Sequence, residues 1–575
     1  MNLETTTSNP GTERRSFLRG EGWIAGLVAF LFFSAYVLSV AIVPIRSDND
    51  CWWHVKTGQY IHEHGIPKND VFAYTAADHV WNNHEWLSQL GFYHVWQLGE
   101  DAGFGGWRAV IIMIAVLLWT TYSIAFFLAA KLSRSFWIAL LIAVMGVAIG
   151  RRMFYPRPPV VSNLIMMGEI ALLVAINQRW IRRAWVFALI PVIALWTNLH
   201  GGWMAGGMIL GAWMLGEVVK RVWAGLWKRE DSSAGADDCF PVAWLMVLGI
   251  GCLAATFANP FGIELYRLPA RVMNDRMLVS MIGELAKPNY FFVIDFLIFY
   301  VAIFLMGLVT LRRLRPPLWE VLIWLFFLSQ AMLHVRHLFL FSVAMVPLST
   351  RVIVASLDAI ADTVPIVLHG ITTAVQRAFI ACIAVYAAAW VIINPREGGE
   401  WLHPMTARSY PGRNAQFAEG QGYIRSAFPV LLCDFIEKAD LRGNMFNENN
   451  YAGYLIWRLS PEKHRVFSDS RFDIFGSKFL AYENVIASGG AAVIDGESVT
   501  WESLLDRYDV QWAITHGDAG LQVMLSRSKA WKCVARWPAD LGGWEVWVRD
   551  NAANAEVIAR ARKAAPSALA SAPTD

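Results

Sequence analysis

The sequence predicts a mainly α-helical protein that crosses a membrane about eleven times and ends in a small α/β domain. Three observations predict it. The chain is 56% hydrophobic and only 17% charged, where soluble domains carry about a quarter charged residues. Apolar runs of about 20 residues, the length of one crossing, recur as far as Ile393. From Gly399 those runs stop, and Gly, Arg and Ser become frequent. The net charge of +3 and the lack of any block of like charges give no reason to expect nucleic acid as a partner.

The spans are read at 22–44, 107–130, 136–150, 160–177, 184–199, 202–220, 241–258, 291–311, 318–334, 337–353 and 376–393. The first follows Arg14, Arg15 and Arg19, as a signal peptide would. It exceeds the roughly 7–15 apolar residues of such a peptide and no small-residue cleavage site follows, so it stays as a span. Lys and Arg then collect on alternate loops: Lys131 and Arg134; Arg179, Arg182 and Arg183; Lys220 and Arg221; Arg312, Arg313 and Arg315. Cytoplasmic loops carry that excess. Residues 1–21 are therefore a cytoplasmic tail, and 22–398 a transmembrane domain with a long outer loop at 46–106. An odd span count puts the C-terminal part outside too, and a bacterial inner (plasma) membrane is the expected location.

Residues 399–425 read as a linker, 426–550 as a soluble α/β domain and 551–575 as a frayed helix with a flexible tail. Within the domain, 428–438 and 501–508 are predicted as helices, and 454–459, 465–468, 511–515 and 544–548 as strands. The 6 Cys have no metal-type spacing, but Cys433 and Cys533 share this domain and could pair if it is extracytoplasmic. In the outer loop, 54–64 reads as a short helix stopped by Gly65-Ile66-Pro67.

That loop carries the chemistry. Asp48 and Asp50 stand just beyond the first span, followed by Trp52, Trp53 and His54, and later by His84 and Glu85. A carboxylate at mid-membrane costs at least ~2.5–3.5 kcal/mol, so the pair lies at or beyond the interface. Two carboxylates one residue apart can hold a divalent cation, the one cofactor the pattern allows, or act as a general base. The plainer alternative is a loop start where Asp and Asn favour turns. Trp52, Trp53 and His54 weigh against it, because rings stack on apolar sugar faces while a carboxylate takes the hydroxyls. For Trp53 an interfacial anchoring role is an equal alternative. Glu85 can raise the basicity of Asp50 or orient an acceptor. His84-Glu85-Trp86 lacks the second His of the H-E-x-x-H zinc motif.

A basic group breaks the positive-inside pattern at two outer ends: Arg151, Arg152 and Arg157, and His334, Arg336 and His337. Arg is a bidentate phosphate ligand, and a lipid phosphate at the outer leaflet gives such cations a reason. General contact with lipid headgroups is the plainer alternative. Asn198 and His200 follow another outward span and can hydrogen-bond a substrate, with Gly201-Gly202 permitting a tight turn. Glu284 is a lesser carboxylate in the next outer loop. All of these fall on one side of the membrane by the same parity. In the soluble domain, 447–451 and 469–473 are polar clusters that could touch an acceptor, though they read first as turns.

The acidic D-x-D type pair, Asp48 and Asp50, in the first outer loop after the first of about eleven spans resembles the GT-C superfamily of polytopic glycosyltransferases. The stretch Asp48 to Gly58, with I-P-K-N-D-V-F-A-Y-T-A from Ile66 and W-N-N-H-E-W-L from Trp81, is similar to a bacterial branch of it. The likeness is to the ArnT/protein-mannosyltransferase/Rgt-type branch, and closer still to that bacterial branch, with W-x-N-x-H-G (here from Trp196), N-P-x-G (from Asn259), and segments like Gly453 to Trp457 and Asp469 to Arg471. The resemblance implies transfer of a sugar from a polyprenyl-phosphate donor to a glycan, lipid or protein acceptor on the outer face. It implies Asp50, or Asp48, as the catalytic carboxylate and Glu85 as a second acid. The Arg and His groups match no family motif. Two other readings compete. One is a transport-type or non-catalytic protein handling lipid-linked glycans, against which stand the lack of internal repeats and span interiors nearly free of charge, Glu169 and Asp295 excepted. The other is a polysaccharide polymerase or ligase, which would use outer Arg and His but needs no acidic loop.

Overall fold

The structure, a computed structural model, describes residues 22–363 and 428–565 apart from 43–44, 46–47, 227–238, 289, 312–313, 518 and 539–541, together with positions 378 and 382. Helix α1 (Trp23–Ala41) buries Gly26, Ala29, Phe33 and Val37, spaced three or four apart, and leaves Trp23, Leu27 and Leu31 on an exposed apolar face. The outer loop forms α2 (Asp50–His64) and α3 (Trp86–Asp101). These cross so closely at Gly58 that a Cβ there would lie 2.1 Å from the Gln89 carbonyl oxygen. Then come α4 (Gly106–Ser133) and α5 (Phe136–Gly150), joined by Arg134 in the left-handed region and by Ser135, whose hydroxyl caps Ile138 N–H at 3.3 Å. Helix α5 is apolar and buried nearly all round, and so forms the centre of the bundle. Helix α6 (Pro159–Asn177) opens with proline, whose missing N–H is no loss at a first helical position.

The remaining helices of this part are α7 (Leu189–Leu199), α8 (Trp203–Leu226), α9 (Val242–Ala255), α10 (Glu264–Asn274), α11 (Arg276–Met281), α12 (Tyr290–Val309), α13 (Leu318–Leu333), α14 (His337–Ala344) and α15 (Val346–Thr363). Exposed apolar faces such as Ile250 and Leu253, or Val301 and Leu305, mark a membrane protein. Among the described residues, α1, α4, α5 with its following turn, and α6 are long and apolar enough to cross a membrane. The run expected as one span at 337–353 falls on α14 and α15, a pair bent by 49° that is long and apolar enough to cross when taken together, as a broken span or a re-entrant loop. Helices α7, α9 and α13 are shorter apolar helices, so a count of eleven full spans is not established. The run 376–393 lies outside the described residues except for positions 378 and 382.

The C-terminal domain has strands β1 (Asn444–Phe446), β2 (Ala491–Ile494), β3 (Glu497–Thr500), β4 (Val510–His516), β5 (Trp531–Arg536) and β6 (Trp544–Arg549). The main sheet runs β1-β4-β6-β5, with β1 parallel to β4 and the other pairs antiparallel. The expected helices at 428–438 and 501–508 and strands at 511–515 and 544–548 are present within a few residues. The expected strand at 454–459 is a helix, Ala452–Leu459, which buries Tyr454, Leu455 and Leu459 on one side. Residues 465–468 supply only one bridge, Val466 to Ala73. Cys433 and Cys533 are both free thiols, one on a buried helix face and one on β5, so the expected pairing is absent. The tail forms the helix Ala555–Ala564, and 566–575 lie outside the described residues.

This domain sits on the outer loop. At Gly453 a Cβ would lie 1.8 Å from the Asn49 carbonyl oxygen, so only glycine lets the helix Ala452–Leu459 approach the start of α2. The docked domain thus touches the loop beside Asp48 and Asp50.

Candidate active site

Helix α2 begins at Asp50, four residues earlier than the sequence suggests, and this explains the Asp-Asn-Asp spacing. Asp48 Oδ1 accepts the Asp50 N–H at 3.0 Å, satisfying one of the unpaired donors of a helix start. Asp50 then stands in the first turn, where the helix dipole favours negative charge. The first carboxylate is turned inward and is 1% exposed; the second is 21% exposed.

Both converge on Arg157, from the turn before α6. Its Nε and Nη2 lie 2.7 and 2.6 Å from Asp48 Oδ1, and its Nη1 lies 2.8 Å from Asp50 Oδ2 and 2.6 Å from Glu284 Oε1. Burial opposes the charge of Arg157, and the carboxylates of Asp48, Asp50 and Glu284 more than offset it, so the guanidinium stays protonated. Two of these contacts are directed hydrogen bonds, Nε to Asp48 and Nη1 to Glu284, and the Asp50 contact is an ion pair. The three carboxylates thus occupy much of the guanidinium that the sequence assigns to a phosphate. Arg151 and Arg152 are buried in the short turn Arg151–Met153, too deep to serve as surface ligands for headgroups.

Asp50 Oδ1 also accepts from the Ser470 hydroxyl and from Trp53 Nε1 at 3.3 Å, and the same indole N–H lies 3.2 Å from Ser470 Oγ. Trp53 is thus a tie that orients the carboxylate, and Ser470 joins the site from the C-terminal domain. Nothing in the sequence places Ser470 here except its position in the polar cluster 469–473. Trp52 is 0% exposed, enclosed by the rings of Trp107, Phe428 and Tyr454 at 4.4–4.8 Å, so it packs the domain junction and has no face open to a sugar.

A second cluster surrounds Glu85, just ahead of α3. His200 Nε2 is 3.4 Å from Glu85 Oε1, His54 Nδ1 is 3.7 Å from Oε2, and His84 Nε2 is 3.8 Å from Oε1. His200 Nδ1 accepts the Gly202 N–H at 2.9 Å, so Nε2 carries its proton and faces the carboxyl. Burial pushes the Glu85 carboxyl up to about 8, with the Arg336 charge pulling against it and Asp50 adding to it. Burial also lowers His54 and His200 well below the ordinary imidazole range, and lowers His84. Near pH 7 the cluster is therefore a protonated acid among neutral imidazoles. A carboxyl in that state donates a hydrogen bond and is a poor base. Glu85→Gln, which imitates the protonated carboxyl, is expected to keep most activity. The wild type should lose activity as pH rises through about 8, and the variant should not. A Glu85→Gln enzyme as inactive as Glu85→Ala would contradict this.

Arg336 is half-buried. Its backbone N–H bonds the Glu284 carbonyl at 3.1 Å, and its side chain has no carboxylate within ion-pair range among the described residues. Its charge nevertheless reaches Glu85, His84 and His200. His334 Nδ1 lies 2.7 Å from the Leu285 carbonyl oxygen and pins the turn carrying Glu284, with His337 edge-on to it at 5.2 Å. Asn198 is fully used: it accepts from Trp86 Nε1 at 3.0 Å and donates to the Ala194 and Ala258 carbonyls at 2.8 and 2.7 Å. It braces α7 against α3 and the next loop.

The donor set does not fit a divalent cation. The facing oxygens of Asp48, Asp50 and Glu284 are taken by one guanidinium. Asp48 Oδ2 is left without a hydrogen-bond partner, and the few carboxylate oxygens off the guanidinium fall short of the six or more that calcium or magnesium requires. Among the described residues no group of three His, Cys, Asp or Glu has metal-holding geometry.

No family model and no curated protein matches the chain. Among solved structures, the archaeal oligosaccharyltransferase AglB from Archaeoglobus fulgidus, in complex with an inhibitory peptide and a dolichol-phosphate, is similar over 92% of this chain and 74% of its own, at 12% identity and a TM-score of 0.51. The chain has the GT-C fold. Weaker likenesses are to the arabinofuranosyltransferase AftD from Mycobacteria (12% identity, 92% of this chain, 40% of that one, TM-score 0.48) and to ArnT from Cupriavidus metallidurans bound to undecaprenyl phosphate (13%, 92%, 98%, 0.44). In this GT-C fold the two carboxylates stand at the start of α2, Arg157 and Glu284 come to them from two other segments, and Arg336 bonds the Glu284 carbonyl through its backbone.

Proposed function

We propose that the chain is a membrane glycosyltransferase, moving a sugar from a polyprenyl-phosphate donor to a glycan, lipid or protein acceptor at the extracytoplasmic face. The observation that carries this reading is the meeting of the partly exposed Asp50 carboxylate with Arg157 and Glu284, beside the turn where the Arg336 backbone bonds Glu284. The likeness to AglB, a protein solved with a dolichol-phosphate, supports a lipid-linked donor.

The reaction is a direct displacement. Asp50 takes the proton of the acceptor hydroxyl as its oxygen attacks the anomeric carbon. The bond to the lipid phosphate breaks, and that phosphate leaves with the electron pair. Arg336 faces the developing negative charge, where a positioned cation in a water-poor site stabilises the transition state most. The Glu85 and His200 hydrogens are available to the sugar or acceptor hydroxyls.

Arg336→Ala is expected to raise the KM for lipid-linked donor about ten- to a hundredfold, the size of a lost charge-assisted hydrogen bond of about 1.5–3 kcal/mol. The measurement is a donor titration in detergent or liposomes with the acceptor in excess. Unchanged donor dependence would remove Arg336 from this role.

A further inference from the structure

Asp48, Asp50 and Glu284 come from two segments far apart in sequence, and their oxygens meet around one point. Carboxylates this close repel one another unless a cation lies between them, because the interaction grows as the dielectric falls. Oxygen-rich convergence of this kind is how a chain holds a divalent ion. Here a side chain fills the centre. Arg157 reaches it from a third segment, and its flat fork gives Asp48 and Glu284 each a directed N–H while pairing with Asp50 at 2.8 Å, a directionality a spherical ion lacks.

We propose that Arg157 is the resident cation of this site, occupying the place that a divalent ion would otherwise take between Asp48, Asp50 and Glu284. Arg157 is on this account a positioning residue: it fixes the direction of the Asp50 carboxylate and balances the acidic cluster. The inference deepens the transferase reading of the same site and rests on it for one consequence, that transfer proceeds without added metal. The arrangement itself stands on geometry. Three guanidinium nitrogens lie within 2.6–2.8 Å of oxygens of three carboxylates, with hydrogen bonds to Asp48 and Glu284, and the other Asp50 oxygen is held by Ser470 and Trp53. The guanidinium fills the centre between the three carboxylates, so a metal there must first displace it.

The test is manganese binding to the full-length protein in detergent, read by electron paramagnetic resonance after EDTA treatment and desalting. The wild type is expected to show no bound manganese that depends on Asp50. Arg157→Met vacates the centre and is expected to gain one bound manganese ion per chain. That ion should disappear in Arg157→Met with Asp50→Asn, and its binding should raise the lowered melting temperature of the single variant. Manganese bound to the wild type and lost in Asp50→Asn would overturn the proposal, as would a folded Arg157→Met protein that gains no ion. Should Arg157→Met fail to fold, the wild-type and Asp50→Asn measurements decide the matter alone. Transfer by EDTA-treated wild type is measured in parallel. A protein that transfers no sugar under any condition overturns the proposed function but leaves the manganese result intact.

Discussion

Asp50→Asn is expected to lower sugar transfer by roughly 10²–10⁴-fold, the usual contribution of a positioned general base, while leaving the fold intact. Both halves follow from its surroundings. The amide keeps an oxygen for the Ser470 hydroxyl and the Trp53 indole N–H, so the start of α2 stays in place. Arg157 loses one carboxylate but keeps Asp48 and Glu284. The side chain is also partly open to solvent, so the change strands no charge in the interior. Asp48→Asn differs: that carboxylate is buried, accepts the Nε–H of Arg157, lies 2.6 Å from its Nη2, and accepts the Asp50 N–H. Its replacement should therefore cost stability as well as rate. Transfer measured beside thermal unfolding separates the two variants. Full activity in Asp50→Asn would remove Asp50 as the base, whatever the rest of the site does.

The membrane helices were legible because each is a long apolar run, and length alone separates such a run from a strand. The expected bounds 136–150 match Phe136–Gly150, and 160–177 differs from Pro159–Asn177 by one residue. Legibility fell where distant contacts decide. Residues 454–459 are aromatic and branched and read as a strand, but Gly453 lets that segment pack as a helix against Asn49, a contact no local pattern shows. Strand β1 is three residues long and exists because β4 pairs with it from more than sixty residues away. The candidate site was legible as a set of residues on one face, since parity placed them there. The partnerships were not. Trp52 read as a sugar platform because its neighbours in space, Trp107, Phe428 and Tyr454, lie far off in the chain. Arg157 read as a phosphate ligand because a guanidinium looks free until its three carboxylates are known.

The cluster 469–473, which read first as a turn, contains the group that joins the two parts of the molecule. Arg471 is 2% exposed and donates from Nε and Nη2 to Asp469 at 2.8 and 2.6 Å, and from Nη1 to Asp70 of the outer loop. Its guanidinium lies 4.5 Å from the ring of Trp81 and 5.2 Å from that of Phe72, contacts that strengthen away from water. Both acids are themselves buried. Arg471→Ala therefore leaves two carboxylates without their cation in the interior, and breaking a buried ion pair costs about 3–5 kcal/mol. The expected result is a large fall in melting temperature, together with reduced transfer, because Ser470 and its bond to Asp50 are held by the same backbone. Arg471→Lys should recover little, since an ammonium cannot present paired donors to Asp469 and still reach Asp70. Arg471→Met with Asp70→Asn and Asp469→Asn should regain much of the stability, because the loss comes from stranded charge and not from missing volume. If Arg471→Ala melted like the wild type and transferred sugar at the same rate, the C-terminal domain would have no part in holding the carboxylate loop. The Ser470 contact would then carry no weight in the chemistry of Asp50.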